Sequence, residues 1–435
     1  MFVAGAGTRK INCKIGDSIM GQLHIRKCQY IMDDLESNCV FLSDGTEKIL
    51  LISCDLALLL PDFVERVKQS IEKKTSIAFE NIYLFCTHTH TGPNTVNLLP
   101  DDPTNSAYLD ELETNLVQLT CEVISSAVEA KLGYGKGSAL IGYNRRVCWR
   151  DGSHTMYGDT RKKEFAGIEG PEDPTHCVIS IVDKQNHLIA IIYNNACHCT
   201  CVESGNFASA DFPGESRKLL RQIFDNQLLP VLYLQGASGD LSPWNLMKPL
   251  RCVSGVQRMK EIGAICASET AKIIANMEYQ HNPVIKNVCE KIKIKIRMPE
   301  KDEIKRARKI VEKGEEKEGR WNYVLNWSIL KLYEEYKNKS YEEIPVGAIR
   351  IDNCAIATIP YEYYCQFGID IRRRSPAQVT LIAQLANGWY GYCPTIYGVL
   401  GGGYSGMTIY WTRHQPEAGY IVADACCRLL YQLWK

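Results

Sequence analysis

Short apolar runs of strand length punctuate this chain, separated by longer amphipathic stretches. The runs lie at 49–54, 82–85, 177–183, 188–194, 231–234, 355–359 and 379–385. Several, such as Ile49-Leu50-Leu51-Ile52, are continuously apolar, which predicts strands buried on both faces. Leu109, Leu112, Leu116 and Leu119 recur at helical spacing and predict a helix over 107–131, ended by the Gly133 region. Further helices are predicted over 61–73, with Pro61 in the first turn, and over 213–226, 254–277, from about 361, and 416–433. Lys184-Gln185-Asn186-His187 reads as the turn of a hairpin. A short strand is expected over 138–143, and a loop over 149–175, which is rich in Gly, Asp, Pro and charge. No internal repeat is evident. Interleaved strands and helices predict an α/β fold with a mixed β-sheet core flanked by helices, as a single domain over 1–435. Residues 299–343 are Lys- and Glu-rich with Trp321, Tyr323, Leu325, Trp327 and Leu330, and predict a charged helical insertion or cap.

The polar residues that follow the apolar runs carry the chemistry. His88 and His90 follow Leu84-Phe85; on a continuing strand their side chains would share one face. Asn194 to His198, Ser238 to Pro243, Glu362, and Asn387 to Tyr392 each begin where another run stops. In α/β sheets, ligand sites form beyond the carboxyl ends of strands, so these clusters predict one shared rim. His88, His198 and Glu362 form a two-His, one-carboxylate set, the donor chemistry of a catalytic zinc.

Other readings of the same residues remain open. The histidine pair could be exposed loop residues, and Glu362 a carboxylate opening a helix. Cys197, Cys199 and Cys201 could form a thiolate zinc or redox site; their spacing lacks C-x-x-C and favours three buried thiols. Ser238 or Ser242 with His90 and Asp240 could make a metal-free serine hydrolase, although Gly236-Ala237-Ser238-Gly239 lacks the full G-x-S-x-G elbow. A non-catalytic metal- or lipid-binding module is a third possibility.

Composition narrows the field. Lysine plus arginine and aspartate plus glutamate both number 50, so no net field favours nucleic acid. No stretch approaches the ~20 apolar residues of a membrane span. The 19 cysteines, with no signal-like segment at Met1 to Lys14, suggest buried thiols in a reducing compartment and a cytoplasmic location.

Taken in order, the motifs resemble those of the neutral/alkaline ceramidases, in their catalytic domain. Thr87-His88-Thr89-His90-Thr91-Gly92-Pro93 is similar to that family's T-H-T-H-[ST]-G-P, and Asn144-Arg145 to its N-R. Asn194 to His198 with Ser209-Ala210-Asp211 resembles its second histidine segment. Gly239-Asp240-Leu241-Ser242-Pro243 resembles G-D-V-S-P, and Pro360-Tyr361-Glu362 resembles P-G-E. Tyr392 through Tyr404 resembles its tyrosine segment. The resemblance implies zinc ligands at His88, His198, Glu362 and Tyr392. It implies catalytic roles for His90, Arg145 and Tyr404, and for Ser242 in positioning the substrate. It also implies hydrolysis of an N-acyl amide, ceramide-like N-acylsphingosine or a related compound, by zinc-activated water. Departures include Trp244 after Pro243, the Cys-rich surround of His198, a shorter interval from Glu362 to Tyr392, and no C-terminal immunoglobulin-like domain after Lys435.

Overall fold

The computed structural model describes residues 1–248 and 253–435. Two β-sheets stack face to face between layers of helices. The larger, nine-stranded sheet runs Val231–Gln235, Leu188–Asn195, Thr175–Asp183, Val128–Ser138, Val3–Lys10, Glu36–Ser43, Lys48–Cys54, Ile82–Cys86, with Tyr279–Gln280 added to Val128–Ser138. The smaller runs Ile285–Lys295, Tyr341–Ile351, Cys354–Ile359, Val379–Gln384. The fold is thus mixed α/β, as the strand and helix pattern predicts.

Alternation along the strands explains the layering. Val40, Leu42, Ile49 and Leu51 pack against Ile349, Ile351, Ile356 and Leu381 between the sheets. Their neighbours Cys39, Phe41, Leu50 and Ile52 face the other way, onto helices Pro61–Thr75 and Ser106–Ser125. Both faces are apolar, so the period-2 signal disappears and the runs read as continuous. Helices Asp211–Ile223 and Gly255–Ala275 cover the other end of the large sheet. Ala418–Leu433 covers the small sheet. No helix among the described residues is long and apolar enough to cross a membrane.

One unit recurs three times, although the sequence shows no repeat. An antiparallel hairpin is followed by a helix and then a strand parallel to the hairpin's second strand. Glu36–Ser43, Lys48–Cys54, Pro61–Thr75 and Ile82–Cys86 form the first. Thr175–Asp183, Leu188–Asn195, Asp211–Ile223 and Val231–Gln235 form the second. Tyr341–Ile351, Cys354–Ile359, Cys365–Arg374 and Val379–Gln384 form the third. Each has a parallel pair whose carboxyl ends are available for a site. The sheets are tied together near those ends by buried side-chain amides. Asn194 donates to Leu234 O (2.6 Å) and to Ile382 O (2.8 Å), and Gln384 donates to Gln235 Oε1 (3.0 Å).

Several boundaries differ from expectation. The helix predicted over 107–131 stops at Ser125, and the strand predicted over 138–143 is instead Val128–Ser138. That strand looked like a turn because of Gly133, Gly135 and Gly137. A Cβ there would meet Met277 Cγ at 2.6 Å, Ile273 Cγ2 at 2.7 Å or Glu269 Oε1 at 1.8 Å, so the glycines admit close helix packing. Residues 149–175 are not all loop: His154–Met156 and Phe165–Ile168 pair with Arg146–Trp149. The helix expected from about 361 begins at Cys365. The insertion holds helices Lys301–Lys313, Glu315–Glu318 and Arg320–Tyr336, but its end at 343 is too long, because Tyr341 already starts a core strand.

Candidate metal centre

Each of the three units sends one side chain to a common point. His88 comes from beyond Ile82–Cys86, His198 from beyond Leu188–Asn195, and Glu362 from beyond Cys354–Ile359. In each unit the partner strand of the parallel pair supplies the group that orients that side chain. His88 Nδ1 donates to Ala57 O (2.9 Å), past the end of Lys48–Cys54. His198 Nδ1 donates to Ser238 O (2.8 Å), past Val231–Gln235. Trp389 Nε1, past Val379–Gln384, donates to Glu362 Oε1 (3.0 Å).

Backbone carbonyls only accept, so each Nδ1 carries the proton and each Nε2 presents a lone pair. Those lone pairs face one another. His88 Nε2 lies 3.0 Å from His198 Nε2 and 3.3 Å from His90 Nε2. Glu362 Oε2 is 3.3 Å from His88 Nε2 and 3.4 Å from His198 Nε2, and it is buried without a hydrogen-bond partner. His88, His90 and His198 form a group whose donor atoms all lie within 4.8 Å of one another. Such convergence of acceptors away from water is costly unless a cation sits among them. The residues present therefore fit a metal ion.

His88 and His90 meet differently from the expectation of strand alternation. The strand ends at Cys86, and His88 has φ 67°, in the left-handed region. This turn aims His88 inward, while His90 is fixed by donating from Nδ1 to Gly21 O (2.8 Å). Residues 196–202 are likewise not a strand. Cys197, Cys199 and Cys201 are free thiols packed in the apolar cluster beneath helices Asp211–Ile223 and Gly255–Ala275, while His198 points to the centre.

Arg145, not its neighbour Arg146, reaches the centre. Its guanidinium lies 3.1 Å from His198 Nε2 and donates to Gly239 O (3.0 Å), Tyr392 Oη (3.3 Å) and Tyr157 Oη (3.2 Å). Arg146 turns away to Glu169 and Gly398 O. Tyr392 and Tyr404 stand edge to face with ring centroids 5.7 Å apart. Ser242 is placed elsewhere. Its hydroxyl accepts from Trp244 N (3.0 Å), and its strand pairs with Tyr143–Asn144, the segment that carries Arg145. It does not line the cavity, whose walls include six of the other candidates, His88, His90, Arg145, Glu362, Tyr392 and Tyr404. Nor is a serine triad assembled: Ser238 Oγ accepts from Gln384, and Asp240 accepts from Cys365 N and Asn144.

Electrostatics keep the centre's donors in metal-binding form. Burial, then the charge of Arg145 and the nearby His88, push His198 down to about 3. Burial also holds His90 well below the usual histidine range. Burial alone would raise Glu362; positive charge at the His88 and His198 nitrogens, which a bound metal would supply in place of their protons, holds its carboxyl well below its ordinary value. Burial raises both Tyr392 and Tyr404, so each keeps its proton and remains a donor.

The centre lies at the base of a cavity of about 220 Å³ whose walls include Ile19, Leu58, Val96, Leu99, Met156 and Trp411. The insertion reaches its rim. Trp321 packs on Tyr404 at 5.7 Å, while Arg320 donates to Leu23 O (2.6 Å) and pairs with Asp101 (2.8 Å).

No family model matches the sequence, and no curated protein matches it. Solved structures do. The crystal structure of neutral ceramidase from Pseudomonas aeruginosa matches with TM-score 0.75 at 16% identity, over 99% of this chain and 74% of that one. A ceramidase complexed with C2 matches with TM-score 0.75 at 15% identity, over 99% and 75%. The chain has the fold of neutral ceramidase. The match covers nearly the whole of this chain. Sequence reasoning missed Trp389, Gly21, Glu203 and Trp321, which also shape this site. Trp389 stood within a cluster flagged at a strand end, but the two loop residues and the cap tryptophan carry no local signal.

Proposed function

We propose that the protein is a zinc-dependent amidohydrolase that cleaves an N-acyl amide, with a ceramide-like lipid the leading substrate class. The observation that carries this reading is the convergence of unprotonated imidazole nitrogens and the unpartnered Glu362 Oε2 at the base of an apolar cavity. His88, His198 and Glu362, with Tyr392 beside them, would hold the ion. A bound zinc would supply the Lewis acidity that activates water and polarises a carbonyl.

The chain's own groups complete the chemistry. Arg145 is a fixed cation and Tyr404 a protonated hydroxyl, and both are placed to stabilise negative charge developing on an amide oxygen. His90, neutral and with its Nε2 lone pair directed inward, can take a proton and return it to the leaving nitrogen. The apolar walls suit an acyl chain and keep bulk water from the reacting bond. The ceramidase-like fold supports the hydrolase reading. Ser242 acts on this view by supporting the Arg145 segment.

The test is metal analysis of wild type beside His88→Ala and His198→Ala, with hydrolysis measured over a panel of N-acyl amides. About one zinc per chain and turnover in wild type, both lost in the variants, is the expected result. Full zinc without turnover on any amide would leave a binding module. Turnover that resists chelators but yields to a serine-reactive phosphonate would overturn the zinc reading.

A further inference from the structure

One segment of the chain is closed at its base by two thiols that the chemistry above does not use. Residues 14–27 leave the core at Cys13 and return to it at Cys28. Ser18–Ile19 pairs antiparallel with Arg26–Lys27. The ladder runs on to Cys28, whose N donates to Asp17 O (2.8 Å) and whose O accepts from Gly16 N (2.7 Å). Asp17 N donates to Lys14 O (3.1 Å), and Lys14 N to Asp17 Oδ2 (2.9 Å). This turn folds the chain after Cys13 back towards Cys28. The far part of the segment, Ile19 to Leu23, forms one wall of the cavity.

Both cysteines are free and buried. Cys28 Sγ donates to Tyr30 O (3.4 Å), and a side-chain hydrogen bond joins Cys13 to Cys28. The Cys28 proton is spent on the carbonyl, so Cys13 is the donor between the two sulfurs. Burial, and next the neighbouring Cys28, push the Cys13 thiol up, so Cys13 keeps its proton while Cys28 is unmodified. The cover over the pair is thin. Lys14, Ile15, Gly16, Lys27, Gln29 and Tyr30, on either side of the two cysteines, are all exposed. Cys54 and Cys86 differ: they are register partners on parallel strands, held inside the sheet and its apolar cluster.

We propose that Cys13 and Cys28 are a redox modification site, oxidised by a small-molecule disulfide to a bond that closes residues 13–28 into a loop. Cys28 loses its proton, and its sulfur attacks the reagent RS–SR, forming Cys28–S–SR and releasing RS⁻. Cys13 then loses its proton, attacks the Cys28 sulfur and displaces the second RS⁻. The two thiols give up two protons and two electrons, and the reagent is reduced to two RSH. A crosslink at this place removes open states of the segment. That segment supplies Gly21 O to His90 Nδ1, and its Met20 N donates to Gly92 O (2.9 Å), so oxidation fixes the cavity wall in place. The site stands whatever bond the metal centre cleaves.

The experiment treats the folded wild-type chain with glutathione disulfide and blocks the remaining thiols with iodoacetamide. Peptide mass spectrometry with fragmentation then maps the linkages. The expected product is a Cys13–Cys28 bond, reversed by dithiothreitol and lost in Cys13→Ser and Cys28→Ser. Trypsin digestion of the folded protein reads the closure. Cutting after Lys27 should slow by about tenfold in oxidised wild type and stay unchanged in Cys13→Ser. Glutathione left on Cys28 with Cys13 free, a bond from Cys28 to Cys39, or linkage only in denaturant overturns the proposal. So does a Cys13–Cys28 bond that leaves cutting after Lys27 unchanged. The wild-type map needs no variant, so a serine variant that fails to fold does not spoil the test.

Discussion

His88 and His198 are no more deeply buried than His176 and His414, yet the two pairs are placed in opposite ways. His176 Nε2 meets the Thr270 hydroxyl at 2.8 Å. His414 sits between Tyr361 Oη (3.0 Å) and Glu342 Oε2 (2.9 Å), beside Arg413. Each is a solitary ring within its own polar contacts. At the centre, two rings spend their Nδ1 protons on backbone carbonyls of a paired strand, and their remaining nitrogens are turned on each other and on a carboxylate. Burial does not mark a metal site. What sets the centre apart is the convergence of three imidazole nitrogens and an unpartnered carboxylate oxygen, with only the Arg145 N–H turned towards one of them.

The largest test of that contrast removes a ring from each set. His88→Ala or His198→Ala should lower hydrolysis by roughly 10³-fold or more and strip the zinc, measured by elemental analysis and kinetics. His176→Ala should keep full zinc and lose only stability. Zinc retained in both centre variants would erase the distinction.

Acid should separate the structural set next. Burial holds His176 down to about 4, against about 6.5 for an exposed ring. Between those values the unfolded chain binds the proton and the folded one does not, so stability is present above pH 6.5 and is lost as pH falls towards 4. The shift corresponds to about 3 kcal/mol at the acid end. His176→Gln should flatten this part of the stability curve in denaturant titrations. An unchanged slope would show that the ring is not held neutral.

A smaller effect probes the orienting groups. Trp389→Phe removes the indole donor from Glu362 Oε1 and should weaken zinc affinity by about 10- to 100-fold in chelator competition. The smallest concerns the thiols. Cys199 is buried and its Sγ lies 2.9 Å from Thr87 O. Cys199→Ala should cost about 1 kcal/mol of stability and leave zinc content unchanged. Loss of metal there would move the site to sulfur.

The same contrast explains what could be read before the fold was known. His88, His90, His198, Glu362, Tyr392, Arg145 and Tyr404 announce themselves because each follows a strand-length run or sits in an ordered motif, and the structure gathers them around one cavity. The partners that distinguish them from His176 are mostly main-chain carbonyls, Ala57 O, Ser238 O and Gly21 O, and any residue type supplies a carbonyl. Gly21 is itself constrained, because at φ 112° a Cβ there would meet His90 Cβ at 2.5 Å. Ser242 carried a motif, and its hydroxyl accepts from Trp244 N outside the cavity lining. The threefold hairpin–helix–strand unit escaped notice because sheet packing demands only apolar residues of suitable size, which leaves no repeated letters.

Zinc K-edge X-ray absorption on the purified protein addresses the central claim most directly. The account predicts a nitrogen and oxygen shell at about 2.0–2.2 Å with imidazole outer scattering, lost in His198→Ala. A sulfur shell near ~2.3 Å, or a protein that retains no metal while hydrolysing amides, would contradict it.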